Sequence, residues 1–427
     1  MSFFICSNCG YGSFSWMGRC PECGFWNSFK EKKDDLQEKR EESTIELKTV
    51  SLDKIESNSL KRLPTNIYEI DRVLGGGLVE GEVVLLTGEP GIGKSTLILQ
   101  AVKGLKTLYV AGEEALSQIK NRIIRLNLKM ANFLITEDLQ IEGIIEGVKK
   151  IKDKIQVLII DSLQTVYSKK IDSPAGTINQ LKEVTYQLIH LAKTEKIIVL
   201  LIGHVTKEGE IAGPKTLEHM VDCVLNFEGE KLSHFRLLRS TKNRFGPTDE
   251  TGIFEMKEQG LEEVKNPLAF IEEKNQSVAG KSIVGVIEGK RPIFFEIQTL
   301  VTPSQLAFPR RVVSGYDYNK ILLLLAISKK YLLLPIEKYD VYINIIGGVN
   351  IRSTAADLGL IASLISSFKN QPLPKNSVFI GEVSLLGEVR SVYFEEKIVK
   401  EARRLGFKNI YSNSNLSNIK SLKTILT

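Results

Sequence analysis

The run VVLLTGEPGIGKSTLILQAVKGL, Val83 to Leu105, decides how the chain is read. Its first five residues, Val83 to Thr87, are an apolar stretch that predicts a buried strand. The next nine, Gly88 to Thr96, keep the spacing G-x-x-x-x-G-K-[ST], and a helix opens behind them. Strand, loop and helix in that order make a phosphate cradle. Gly88, Gly91 and Gly93 let backbone N–H groups turn inward, and Glu89, Pro90, Ile92 and Thr96 complete the loop. The helix N-terminus adds its dipole. Lys94 would reach the β and γ oxygens of a nucleoside triphosphate such as ATP, and the Ser95 hydroxyl would hold Mg²⁺.

Outward from the loop, strands and helices alternate. TLYVA (107–111), FLIT (133–136), VLIID (157–161) and IIVLLIG (197–203) read as strands. LSQIKNRIIRL (116–126) and TINQLKEVTYQLIHLAK (177–193) are amphipathic helical stretches. Continuous apolar strands between helices predict a parallel sheet covered on both faces. Asp161 ends one strand, where a carboxylate would sit beside the Mg²⁺. Glu113 or Glu114, after TLYVA, would point over the γ-phosphate and orient an attacking water. A pair of acids favoured by a helix dipole reads equally well there. CVLNFEG, HFRLLRS and GIFEM look like antiparallel additions. After residue 270 the pattern resets into a second α/β region, with strands SIVGVIEG, IFFEIQTLV, VYINIIG and VFIGEVSLLG.

The chain has 427 residues, 43% hydrophobic and 25% charged, with a net charge of +6. That suits a soluble protein of two or three domains and permits a nucleic-acid partner without requiring one. No apolar run approaches the ~18 residues of a membrane span. MSFFIC lacks the basic flank of a signal peptide, so a cytoplasmic location is expected. Four of the five cysteines fall in the first 23 residues, as Cys6-x-x-Cys9 and Cys20-x-x-Cys23. Two such knuckles complete a tetrahedral, structural Zn²⁺ site, and a reducing compartment disfavours disulfides. Trp26 is expected in the core of this module, whereas Trp16 fits either the core or, with Arg19, a partner face. KEKKDDLQEKREES, from Lys30, is a charged linker. The boundaries read from these shifts are 1–29, 30–61, 62–270 and 271–427.

RSTKNRFGP, Arg239 to Pro247, packs three cations into nine residues between apolar runs. A solvated turn needs fewer, so an anion is expected to meet them.

With these parts in this order, the chain resembles the bacterial RadA (Sms) DNA-repair family over essentially its whole length. The residues that carry the resemblance are the four-cysteine ribbon, DRVLGGGL (71–78), GEPGIGKST, YVAGEEA (109–115), LIIDSLQT (158–165), GHVTKEGEIAGPKTLEHMVD (203–222) and KNRFG (242–246). The resemblance implies a RecA-like ATPase core, with Glu113 as the water-activating carboxylate. It further implies a homo-oligomeric, hexameric ring on single-stranded and branched DNA that extends heteroduplex alongside RecA. Lys242 and Arg244 would then reach the nucleotide of a neighbouring subunit, aimed by Phe245 and the Gly246-Pro247 turn, or else hold the DNA backbone. His204 would sense the γ-phosphate, and Lys207 and Lys215 would contact single-stranded DNA. Rival readings are a signalling ATPase with a RecA-like core and a Lon-like protease.

The region from 271 resembles the proteolytic domain of Lon through VNIRSTAADLGLIASLISS (349–367) and FIGEVSLLGEVRSVYFEEKI (379–398). Laying the Ser-Lys dyad of that enzyme on these segments puts Ala355 at the serine and Glu396 at the lysine. Ser353 and Lys397 are off register, so no peptidase chemistry is expected. Arg310, Arg311 and Arg352 are candidates for a DNA-facing surface.

Overall fold

The computed structural model describes residues 3–32, 51, 61–130, 132–203, 217–229, 234–266, 268–271 and 278–425. Most of the 30–61 linker, together with His204, Lys207 and Lys215, lies outside the described residues. The chain divides into two compact units. One comprises Met1–Leu225 with Thr241–Gly246, and the other Asn226–Ser240 with Pro247–Thr427.

In the first unit five parallel strands run in the spatial order Val83–Thr87, Ile198–Ile202, Val157–Asp161, Thr107–Ala111, Phe133–Thr136. Four of them are buried along their whole length, as their unbroken apolar sequences require, and the edge strand Phe133–Thr136 is partly exposed. Helix Ile178–Glu195 lays Leu181, Val184, Leu188 and Leu191 on the sheet, at the three- and four-residue spacing of one helical face. The register decides where the chemistry sits. Asp161 pairs with Ile202 on one side and Ala111 on the other, and Ile202 pairs with Leu86. The strand ends therefore line up, and the loops that leave them (Gly88 onward, Gly112 onward, Ser162 onward) share one edge of the sheet. That is where ligands bind in parallel α/β folds.

The same unit includes the N-terminal ribbon, a small antiparallel sheet in which Phe3–Cys6 pairs with Gly12–Ser13 and Phe29–Lys32. Its buried core is only Cys6, Cys20 and Phe29. Trp26 was expected in that core, but it is 69% exposed with the Arg19 guanidinium over its ring, and Trp16 is 54% exposed. The cysteine cluster takes the place of a hydrophobic core in so small a module, so the indoles need not be buried.

The second unit is built on a six-stranded mixed sheet. Its order is Arg311–Ser314, Tyr339–Ile345, Arg291–Pro303, Lys281–Glu288, Ser377–Phe379, Asn409–Tyr411. Helix Asp357–Lys369 is buried from Asp357 through Ser366. After Asp357, which pairs with Lys320 at 2.9 Å, its sequence LGLIASLISS carries no polar group larger than a small hydroxyl, as a fully enclosed helix requires. Gly359 is needed there for space, since a Cβ would lie 2.1 Å from a methyl of Val284. Helix Glu395–Arg404 buries only Ile398 and Ala402, in a cluster with Ile283, Phe294 and Val378.

Candidate functional site

The phosphate loop adopts the conformation its glycines predict. Gly88, Gly91 and Gly93 have φ of 153°, 79° and 113°, and helix Lys94–Ala101 starts directly after Gly93. A Cβ on Gly91 would meet nothing within 4 Å. The demand there is backbone freedom, not space. Lys94 is only 4% exposed, and its ammonium donates to the carbonyls of Gly88 (2.8 Å) and Glu89 (2.9 Å). Burial pulls it down to about 8, against the pull of the Asp161 and Glu113 carboxylates. At neutral pH it is still mainly a cation, pointed into the loop.

Asp161 is buried at the end of its strand and accepts hydrogen bonds from the Tyr109 hydroxyl and from Ser95. Burial pushes its carboxyl above the usual range, and those two hydrogen bonds oppose the shift. A hydroxyl and a carboxylate side by side are hard oxygen donors, the set that suits Mg²⁺. Such an ion would neutralise charge on the β and γ oxygens. Gly112 donates its N–H to the Asp161 carbonyl at 2.6 Å, and a Cβ there would lie 1.9 Å from Thr165 Oγ1. Only glycine lets the turn after Thr107–Ala111 come this close.

The two glutamates that the residue pattern alone left equivalent, and between which the resemblance chose Glu113, separate at once. Glu114 forms a two-pronged ion pair with Arg122, at 2.6 and 2.7 Å. Glu113 instead accepts from the Ser162 hydroxyl, next to Asp161, and its charge reaches Lys94. Tyr109, Ser162 and Arg122 were not singled out from sequence. Tyr109 alone carried a signal, as the one polar-tipped aromatic in an otherwise aliphatic strand. Buried tyrosine hydroxyls need a partner.

KNRFG sits elsewhere in the first unit. Lys242 donates to the carbonyls of Glu218 (2.9 Å) and His219 (3.0 Å). Arg244 pairs with Asp222 at 3.2 Å and remains 55% exposed. Asp222 is buried and also binds Lys193 (2.7 Å) and the Val83 N–H (3.1 Å). Arg62 donates to the Phe245 carbonyl, and a Cβ on Gly246 would lie 2.7 Å from the Leu74 carbonyl oxygen. Val83 begins the strand that ends at the phosphate loop. Five residue steps of about 3.3 Å separate it from Gly88, so Asp222 and Arg244 lie about 16 Å from the loop of their own subunit. Arg239, the first cation of the same nine residues, has a different fate in the second unit. It is buried between Glu288 (2.5 Å) and Glu228 (3.3 Å).

In the ribbon, ligand atoms of Cys6, Cys9, Cys20 and Cys23 all lie within 4.8 Å of one another. Cys6–Cys23 and Cys9–Cys20 sulfurs are 3.7 and 3.5 Å apart, and all four thiols are free. Zn–S bonds of about 2.3 Å put the sulfurs of a tetrahedron about 3.8 Å apart, whereas a disulfide needs about 2.05 Å. Four thiolates at this spacing fit Zn²⁺.

The comparisons agree with this geometry. Residues 4–31 match the family described as rubredoxin metal binding domain, and residues 52–210 match the AAA domain. A DNA repair protein RadA from Campylobacter jejuni subsp. jejuni is 45% identical over 417 residues, covering 96% of this chain and 93% of its own. The RadA proteins of Rickettsia bellii and Bacillus subtilis are each 44% identical, covering 99% and 96% of this chain and 98% and 92% of their own. The chain belongs to the RadA family of DNA repair proteins. It carries a metal-binding ribbon at residues 4–31 and an AAA domain over residues 52–210, with the phosphate loop at Gly88–Thr96. Among the described residues, no helix is long and apolar enough to cross a membrane.

The remaining candidates of this RadA-family chain lie in the second unit. Ala355 is buried and Glu396 is exposed. Neither has a nucleophilic hydroxyl or an amine. The Ser353 hydroxyl accepts from the Ala355 N–H and starts a short helical turn, while Lys397 donates to the Lys290 carbonyl. Arg311 is partly exposed. It donates to the carbonyls of Arg310, Tyr339 and Ile336, a half-buried clamp between two strands and a turn. Arg352 is paired with Glu228 at 2.6 Å. Arg310 is exposed, and its backbone N–H donates to Asp340.

Proposed function

We propose that this RadA-family chain is a DNA-dependent ATP hydrolase that drives branch migration, extending heteroduplex at recombination intermediates. The observation that carries the proposal is the placement of Arg244. It is exposed, fixed by a buried aspartate, and about 16 Å from the nucleotide loop of its own subunit. An arginine held at the far end of the strand that leads to that loop would be remote from the ATP of its own subunit, which favours a role at a neighbour's. That supports a ring of subunits, with six as the family resemblance suggests.

Within each site, Lys94 and the loop N–H groups would hold the β and γ phosphates. Ser95 and Asp161 would bind the Mg²⁺ of MgATP. Glu113, aimed by Ser162, would orient the attacking water. Lys242 and Arg244 of the adjacent subunit would stabilise charge on the transferring phosphoryl group. His204 would pass the state of the γ-phosphate to Lys207 and Lys215, which contact single-stranded DNA in the ring. Arg310 adds to the DNA-facing surface. The division into a ribbon (1–29), linker (30–61), ATPase domain (62–270) and non-proteolytic Lon-like domain (271–427) belongs to the same reading. So do a cytoplasmic setting and RecA as the partner of the ribbon.

The test is extension of a three-stranded, RecA-initiated DNA joint. Adding the protein with ATP and Mg²⁺ is expected to lengthen the heteroduplex severalfold in a fixed time, and Lys94→Ala is expected to add nothing. Equal extension by the Lys94→Ala protein would remove the motor from the account.

A further inference from the structure

We propose that Tyr109 is a positioning residue for Asp161, fixing the carboxylate that receives Mg²⁺. The inference rests on the nucleotide-site reading above and extends it to a side chain to which that reading gives no role. Tyr109 lies in Thr107–Ala111, the immediate parallel neighbour of Val157–Asp161. It is 1% exposed, its ring is tilted against Phe133 at 5.8 Å between centroids, and its hydroxyl donates to Asp161 Oδ2.

The chemistry follows from that one hydrogen bond. A short carboxylate at a strand end turns freely about its last bond. Engaging one oxygen fixes that rotation, and with it the direction of the other. A phenol suits the task because it is a donor through the neutral range and its ring is held by packing. The alternative orienting groups nearby are already committed. Ser162 donates to Glu113, and Arg122 is occupied by Glu114. Ser95 also hydrogen-bonds Asp161, but it is itself a prospective ligand and must turn towards the ion. Tyr109 is therefore the partner that can stay in place when the metal arrives. Groups that orient metal-binding carboxylates and histidines are typically worth 10- to 100-fold in metal affinity or activity.

The test is Tyr109→Phe, which removes one oxygen and keeps the ring. Free Mg²⁺ is titrated at fixed ATP, and binding of a fluorescent ATP analogue is measured with and without Mg²⁺. The expected result is a rise of about tenfold or more in half-saturating Mg²⁺, with Mg²⁺-free nucleotide binding unchanged. A shift below twofold overturns the proposal. Parallel loss of Mg²⁺-free binding also overturns it, because Tyr109 would then only pack. Should Tyr109→Phe lose its cooperative thermal transition, the same titration on Tyr109→Met, which also lacks a donor, decides by the same twofold limit. Wild-type hydrolysis that ignores Mg²⁺ altogether would instead strike at the nucleotide-site reading beneath the proposal.

Discussion

Arg244→Ala is expected to lower steady-state ATP turnover about a thousandfold, the low end of what an arginine supplied to a neighbour's phosphoryl group is worth. ATP binding and DNA binding are expected to persist, because neither the loop at 88–96 nor the residues between 204 and 216 are touched. On the proposed ring the effect belongs to a pair of subunits. Arg244 is tied to Asp222 at the start of the strand whose far end carries the loop. Mixing supplies a sharper form of the test. Arg244→Ala and Lys94→Ala proteins are each inactive, but a mixed ring holds interfaces with an intact loop from one and an intact arginine from the other. Partial recovery of turnover on mixing is expected. Normal turnover by Arg244→Ala alone, with DNA affinity lost, would assign the cation to the DNA backbone instead.

The second large effect separates the two adjacent glutamates. Glu113→Gln is expected to cut kcat by about 10²- to 10³-fold, in the range for loss of a group that handles a reacting proton or water. Its MgATP affinity should stay within a few fold, since the loop and Asp161 are intact. Glu114→Gln should do the reverse. It unpairs Arg122, which costs about 1–3 kcal/mol of stability, while kcat stays within a few fold. Thermal unfolding and single-turnover hydrolysis on both variants read the two effects independently. A collapse of kcat in Glu114→Gln with none in Glu113→Gln would reverse the assignment.

How much of this was legible in the sequence depends on the range of each interaction. The loop at 88–96, the buried strands and the cysteine knuckles are local patterns, and the structure places them as their spacing predicts. Glu113 and Glu114 were indistinguishable by pattern, and only the resemblance chose Glu113, because the difference between them is Arg122, a full helix turn and more away along the chain. The nine residues from Arg239 to Pro247 show the same limit more sharply. Their three cations look alike in sequence, yet Arg239 is buried against Glu288, Lys242 caps backbone carbonyls and Arg244 rests on Asp222. Each partner is set by tertiary packing, not by neighbours in the chain. The partners of Arg311 were illegible for that reason too, since the carbonyls of Ile336 and Tyr339 come from more than twenty residues on. Trp26 failed for a different cause. Hydrophobicity predicts burial only where there is a core to enter, and the ribbon has sulfur in that place.

ATP hydrolysis by this RadA-family chain is expected to be coupled to DNA. The most direct measurement is steady-state ATP hydrolysis by the zinc-loaded protein with and without single-stranded DNA, with Lys94→Ala as the blank. The account predicts clear stimulation by DNA that weakens as salt is raised, and no activity in the blank. Hydrolysis that depends on Lys94 but is indifferent to DNA at every salt concentration would contradict it, and would favour a signalling ATPase built on the same core.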